Sequence, residues 1–196
     1  MTVDPLKIGF TAVEFDAYAQ ANAGRTFKDT GGVVAGCVLH NTFLPDLKMV
    51  QGYLSTKKWT QGQLIENWWT QYRQKAWRSG PHIFIFPDKI YVATPLTLRG
   101  THSPSFNSQY WGIEIVGDYS HEILPQSMRA LTVSALASLF KKLGRPATAE
   151  NFRFHGEDPK TTHRLCPGKN VGPKADWIAA INAAINPATP KVTPHG

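Results

Sequence analysis

Cysteine is scarce, with Cys37 and Cys166 the only two among 196 residues. Two thiols cannot form the disulfide framework that stabilises small secreted domains. Each is instead a core filler, a nucleophile or a metal ligand. Long apolar runs are missing as well. No window approaches the ~20 apolar residues of a helical membrane span, so no membrane insertion is expected. Residues 1–24 are interrupted by Asp4, Lys7, Glu14 and Asp16 and hold no apolar stretch of the signal-peptide kind. A protein that stays in the cytoplasm as synthesised is therefore expected. Acidic residues are outnumbered, 14 against 21 basic ones, for a formal charge of +7. That balance suits nucleic acid, an anionic surface or an anionic polymer without choosing among them. No basic helix or aromatic–basic strand motif supports nucleic acid, and no such partner is expected. The 16 glycines and 14 prolines follow no period, which removes collagen-like and low-complexity readings.

What is present is the composition of a folded domain, 42% hydrophobic and 18% charged. Residues 1–30 are mixed and polar, with a short helix around Ala12 to Ala21, and read as an N-terminal arm. A nearly continuous apolar strand, Val33 to His40, has the character of a strand covered on both faces. Asn41 to Pro45 breaks it. Leu64, Ile65, Trp68, Trp69 and Tyr72 recur at helical spacing and predict a helix over Gln61 to Trp77, ended by Ser79-Gly80-Pro81. Strands follow at His82–Phe86, Lys89–Ala93 and Trp111–Val116. A helix opens at Pro125 and is capped by Gly144. A strand at Phe152–His155 and a helix at Pro173–Ile185 complete residues 31–186 as one domain. Residues 187–196, with Pro187, Pro190 and Pro194, read as a flexible tail. The alternation predicts an α/β fold, a mixed central β-sheet flanked by α-helices.

Metal-ligating residue types gather at strand ends and in one loop. His40 closes the first strand, His155 closes the last, and Cys166 lies in the polar loop Gly156 to Gly168. Two imidazoles and one thiolate suit zinc with its fourth position open. Spacing alone leaves His163 competing with Cys166. Cys37, an odd number of residues from His40 on the same strand, points to the other face and reads as core.

Four blocks stand in order: Val38-Leu39-His40-Asn41-Thr42, Gly80-Pro81-His82-Ile83-Phe84, Gly112-Ile113-Glu114-Ile115-Val116-Gly117 and His163-Arg164-Leu165-Cys166-Pro167-Gly168. Together they resemble the zinc N-acetylmuramoyl-L-alanine amidases, a group of phage lysozyme-type amidases, peptidoglycan recognition proteins and muropeptide-recycling amidases. The resemblance spans roughly residues 33 to 185 and implies a mixed sheet with Zn2+ held by His40, His155 and Cys166. It also favours Cys166, in the place before Pro-Gly, over His163.

Amide hydrolysis needs a proton carrier, and Glu114 is the candidate. It shares a strand face with Gly112 and Val116, and a charge in mid-strand is costly unless it is paired or near a metal. Two positions depart from the family pattern. Pro81 stands where some relatives carry a Tyr, and Arg164 stands where catalytic relatives carry Lys. Arginine remains protonated, so Arg164 can stabilise an oxyanion while acid duty falls to Glu114. Asn41, His82 and His102 are candidate substrate contacts. Trp68, Tyr72 and Trp111 read as core, and Tyr110 as a candidate glycan-stacking ring. The implied activity is cleavage of the amide between N-acetylmuramic acid and L-alanine in peptidoglycan by a monomeric phage-type endolysin acting on the cell wall. The alternatives are a cytoplasmic muropeptide-recycling amidase and a non-catalytic muropeptide-binding module.

Overall fold

Parallel pairing organises the centre of the molecule. In the computed structural model, which describes residues 4–6 and 8–186, strand β2 (Gly36–Asn41) is buried along its whole length. It lies between β5 (Tyr110–Ile115) and β6 (Phe152–Phe154), parallel to both. β3 (Ile83–Ile85) adds to β5 in parallel, and β4 (Ile90–Val92) returns antiparallel to β3. The six-stranded order is β1-β4-β3-β5-β2-β6, the mixed sheet with flanking helices that the alternation predicts.

Side-chain alternation divides the sheet into two unlike faces. Cys37, Leu39, Trp111, Ile113, Ile115, Ile83, Ile85 and Phe152 point into the larger core. Three helices build that side, α1 (Ala12–Asn22), α4 (Gln126–Leu143) and α5 (Lys174–Ile185). Cys37 and Trp111 are both core, as the alternation requires, and the Trp111 indole donates to Leu96 O at 3.0 Å. On the other face, Phe84, Phe86 and Tyr91 pack under α3 (Gln61–Gln74). Among the described residues no helix is long and apolar enough to cross a membrane.

The structure corrects three expectations. The N-terminal segment is not an arm. β1 (Gly9–Phe10) pairs with β4, and Phe15, Ala19, Ala23 and Phe27 are core residues. Thr11 closes a capping box with Glu14 that starts α1, and Asp4 pairs with Arg73 of α3. A helix missing from the sequence reading, α2 (Leu47–Thr56), follows β2 directly. Asp46 caps it by accepting from Met49 N at 2.7 Å, and Leu47, Val50 and Leu54 give it an inward stripe. α3 ends at Gln74 rather than Trp77, because Ala76 takes a left-handed conformation (φ 57°) that turns the chain out of the helix. The tail expected over 187–196 lies outside the described residues.

Phe15 is fully buried between the sheet and α4. Phe15→Ala is expected to cost about 3–5 kcal/mol in urea denaturation. An appended arm would lose nothing measurable.

Candidate active site

The β2–β5 register sets His40 directly beside Glu114, and the β3–β5 register sets Phe84 on Glu114's other side. Both functional side chains therefore project from the face that α3 covers only in part. The uncovered part is a cavity of about 700 Å³. Its floor is His40 and Glu114, and loops from three parts of the chain wall it.

Three donors converge there. The ligating atoms of His40, His155 and Cys166 lie within 4.8 Å of one another, the one such group among the described residues. His155 starts a short 3-10 helix, His155–Glu157, at the end of β6. Cys166 is tied back to that turn by Gly156 N donating to its carbonyl at 2.8 Å, and Asn41 N–H points at its Sγ at 3.5 Å. Gly168, just beyond, has φ 102°, and a Cβ there would come within 2.3 Å of the Tyr119 backbone. The glycine two residues after Cys166 is thus a packing requirement of this loop. His163 lines the cavity but stands outside the converging group.

Hydrogen bonding fixes which imidazole nitrogens remain available. His102 Nε2 faces the Tyr110 carbonyl at 3.1 Å, and a carbonyl can only accept, so this nitrogen carries the proton. Burial first, then neighbouring His82, pushes His102 down to about 3, so the ring is neutral and its Nδ1 is an acceptor. That Nδ1 lies 3.1 Å from His40 Nε2, which must donate. The lone pair of His40 is thereby left on Nδ1. In His155, Nε2 is engaged by Thr161 Oγ1 at 2.9 Å. Burial also holds His40 well below the imidazole range and His155 down to about 4, so both are neutral donors at pH 7. The Cys166 thiol, by contrast, is pushed up to about 12 by burial, aided by Glu114 and opposed by the Asn41 N–H. Two neutral imidazoles and a thiol that ionises only beside a cation fit a divalent metal of the zinc type.

The candidate substrate contacts separate. Asn41 lines the cavity, and among the described residues its carboxamide has no hydrogen-bond partner. His82 does not face the cavity. It is fully buried, its Nδ1 accepts from Gly112 N at 3.0 Å, and its Nε2 meets Leu98 O at 2.9 Å. With both nitrogens spent on backbone it is a structural residue, which corrects the expectation of a substrate contact. His102 lines the cavity, but both its nitrogens are committed, so it positions His40 rather than binding substrate. Gly112 makes room for it, since a Cβ there would come within 2.4 Å of the His102 ring. Tyr110 is buried, with its hydroxyl on Glu150 O at 3.1 Å and its ring on Phe106, away from the cavity. Arg164 lines the rim and donates to the Asp158 and Pro159 carbonyls at 2.9 and 3.0 Å.

Several residues that shape the site were missed. Asp158 is fully buried and accepts from Ser103 Oγ at 2.6 Å and Ser105 N at 2.9 Å. Burial opposes its ionisation, yet the hydrogen bonds from Ser103, Ser105 and Lys160 bring it down to about 2. Thr161, Trp77 and Phe43 also line the cavity. The available signals were the early end of α3, which frees Trp77, and a carboxylate in a loop dense in N–H donors.

A family model described as N-acetylmuramoyl-L-alanine amidase matches residues 30–169. The chain belongs to that family. Solved structures of similar fold include the endolysin N-acetylmuramoyl-L-alanine amidase LysCS from Clostridium intestinale, at 22% identity and a TM-score of 0.58, over 76% of this chain and 84% of that one. Another is Drosophila PGRP-LB, at 17% identity and a TM-score of 0.51, over 87% of this chain and 89% of that one. A third, PlyL, has 14% identity and a TM-score of 0.52, over 86% and 92% respectively. No curated protein matches significantly. The matched residues of the amidase family contain all three converging donors and Glu114.

Burial raises the Glu114 carboxyl from 4.5 to about 8. In the metal-free protein the folded state therefore holds a proton that the unfolded chain has released. Its stabilising share is complete below about pH 4.5 and is lost as pH rises through about 8. Glu114→Gln, which has nothing to ionise, should exceed the native sequence in stability by roughly 2–4 kcal/mol at about pH 9 and match it near pH 4, measured by urea denaturation after chelation.

Proposed function

We propose that this amidase-family chain is a zinc-dependent hydrolase of the bond between the lactyl group of N-acetylmuramic acid and L-alanine in peptidoglycan. The observation that carries the reading is the convergence of the His40, His155 and Cys166 donors beside Glu114 in one cavity. Zinc held by these three side chains would supply a Lewis acid and a water whose pKa is lowered to about 7. Glu114 takes a proton from the attacking water on a carboxylate oxygen and returns it to the departing L-alanine nitrogen. A carboxyl near neutrality is suited to both halves of that transfer. Arg164, anchored at the rim, brings a permanent positive charge toward the developing oxyanion. Asn41, with its free carboxamide on the cavity wall, binds the peptide or sugar part of the substrate.

A non-catalytic muropeptide-binding module has no use for an intact His-His-Cys set with a carboxylate beside it, and Cys166 favours the enzyme. A phage-type endolysin acting on the wall and a cytoplasmic recycling enzyme differ in substrate size. The +7 charge favours docking on an anionic envelope, hence the endolysin.

Purified protein should release stem peptides from cell walls, lose that activity on chelation and regain it with zinc. Full turnover by thoroughly metal-free protein would refute the reading. Glu114→Gln should lower kcat by about 10²–10⁴-fold with zinc content unchanged. His102→Ala should weaken zinc binding by about 10–100-fold, read by competition with a chromogenic chelator. Activity on whole sacculi that exceeds activity on soluble muropeptides identifies the endolysin.

A further inference from the structure

The α3 wall of the cavity carries a phenol that the scheme above leaves unused. Tyr72 stands one turn beyond Trp68 on α3, and Trp68 packs on Phe84, the register neighbour of Glu114 (ring centroids 5.1 Å). That i, i+4 step carries Tyr72 to the cavity, which it lines together with Glu114. Its ring is held on three sides. Trp69 meets it edge-on at 5.5 Å and Trp77 stacks on it at 5.3 Å. The Gly80 backbone closes the third side, where an added Cβ would come within 2.7 Å of the ring. The chain also returns to it, with Trp77 N donating to Tyr72 O at 3.0 Å. Yet among the described residues the Tyr72 hydroxyl has no hydrogen-bond partner. Burial first, and then the nearby Glu114 carboxylate, keep this phenol protonated far above neutral pH. A rigidly packed, uncommitted O–H donor thus faces the cavity that holds the proton carrier.

Several other donors on the walls are already engaged, and the open Asn41 carboxamide is assigned to the peptide or sugar part of the substrate. Both nitrogens of His102 are bonded, Ser103 Oγ is given to Asp158, and Arg164 uses both terminal nitrogens on loop carbonyls. Pro81, also on the wall, has no donor to offer. We propose that the Tyr72 hydroxyl is a catalytic residue that donates a hydrogen bond to the carbonyl oxygen of the scissile amide. The inference rests on the amidase reading for the identity of that oxygen. The phenol keeps its proton throughout. Its bond shortens and strengthens as the carbonyl oxygen gains charge on attack, and relaxes when the carbon–nitrogen bond breaks, while Glu114 alone carries the proton.

Tyr72→Phe removes one oxygen and leaves the ring stack in place. In the zinc-loaded protein, with a soluble N-acetylmuramoyl peptide as substrate, kcat should fall by about 100-fold or more. KM should stay within about three-fold, with zinc content and melting temperature unchanged. Unaltered kcat overturns the proposal and leaves the amidase reading standing. A loss that comes with lower zinc content or lower melting temperature also overturns it, because it shows a packing role alone. If the native protein turns over no muramyl peptide, the amidase reading fails and calorimetric binding of the same peptide decides the contact. Affinity lowered by about five-fold or more in Tyr72→Phe then sustains the hydrogen bond, and equal affinity overturns it.

Discussion

The in-register parallel pairing of β2 and β5 is the constraint on which the site depends. It places the His40 imidazole and the Glu114 carboxyl on adjacent strands at the same height, without any loop having to be ordered. A slip of one residue would send both into the opposite core among leucine and isoleucine. The register is held because Cys37, Leu39, Trp111, Ile113 and Ile115 must all reach the α1–α4–α5 side together. The energetics of that apolar side therefore position the chemistry on the other one.

Burial then sets the charge states. The three imidazoles around the cavity floor are neutral because they are withdrawn from water and crowd one another, and their protons are assigned by carbonyls and a hydroxyl. Glu114 is raised for the same reason. A pocket that desolvates a carboxyl and several imidazoles together is costly to maintain, and such a cost recurs where proteins build functional sites. A cation at the three donors would relieve it, ionising the thiol and favouring the carboxylate.

Much of this was legible from residue order. Period-two alternation put Glu114 and Trp111 on opposite faces and assigned Cys37 to the core, and the structure agrees. Helical spacing gave α3 and α4 nearly to their ends. What escaped depends on tertiary contacts that local pattern does not encode. His82 carries the residue type of a ligand or substrate contact, but its two nitrogens bridge β5 and the loop at Leu98. The segment before β2 is polar on average, yet Phe15 and Phe27 turn inward. Tyr72 belongs to the apolar stripe of α3 by spacing, and it is the one member of that stripe that lines the cavity. Its place there depends on how α3 seats Trp68 on Phe84, which no periodicity reports.

Asp158 has a consequence for how the site comes apart. Its carboxylate gathers Ser103 and Ser105 from the segment bearing His102, and its carbonyl receives Arg164 from the segment bearing Cys166. Asp158 itself belongs to the Cys166 segment, so its buried carboxylate fastens the two segments directly to each other. Hydrogen exchange across 101–109 and 155–168 should accordingly proceed as a single opening event, with His102 and Cys166 released in concert.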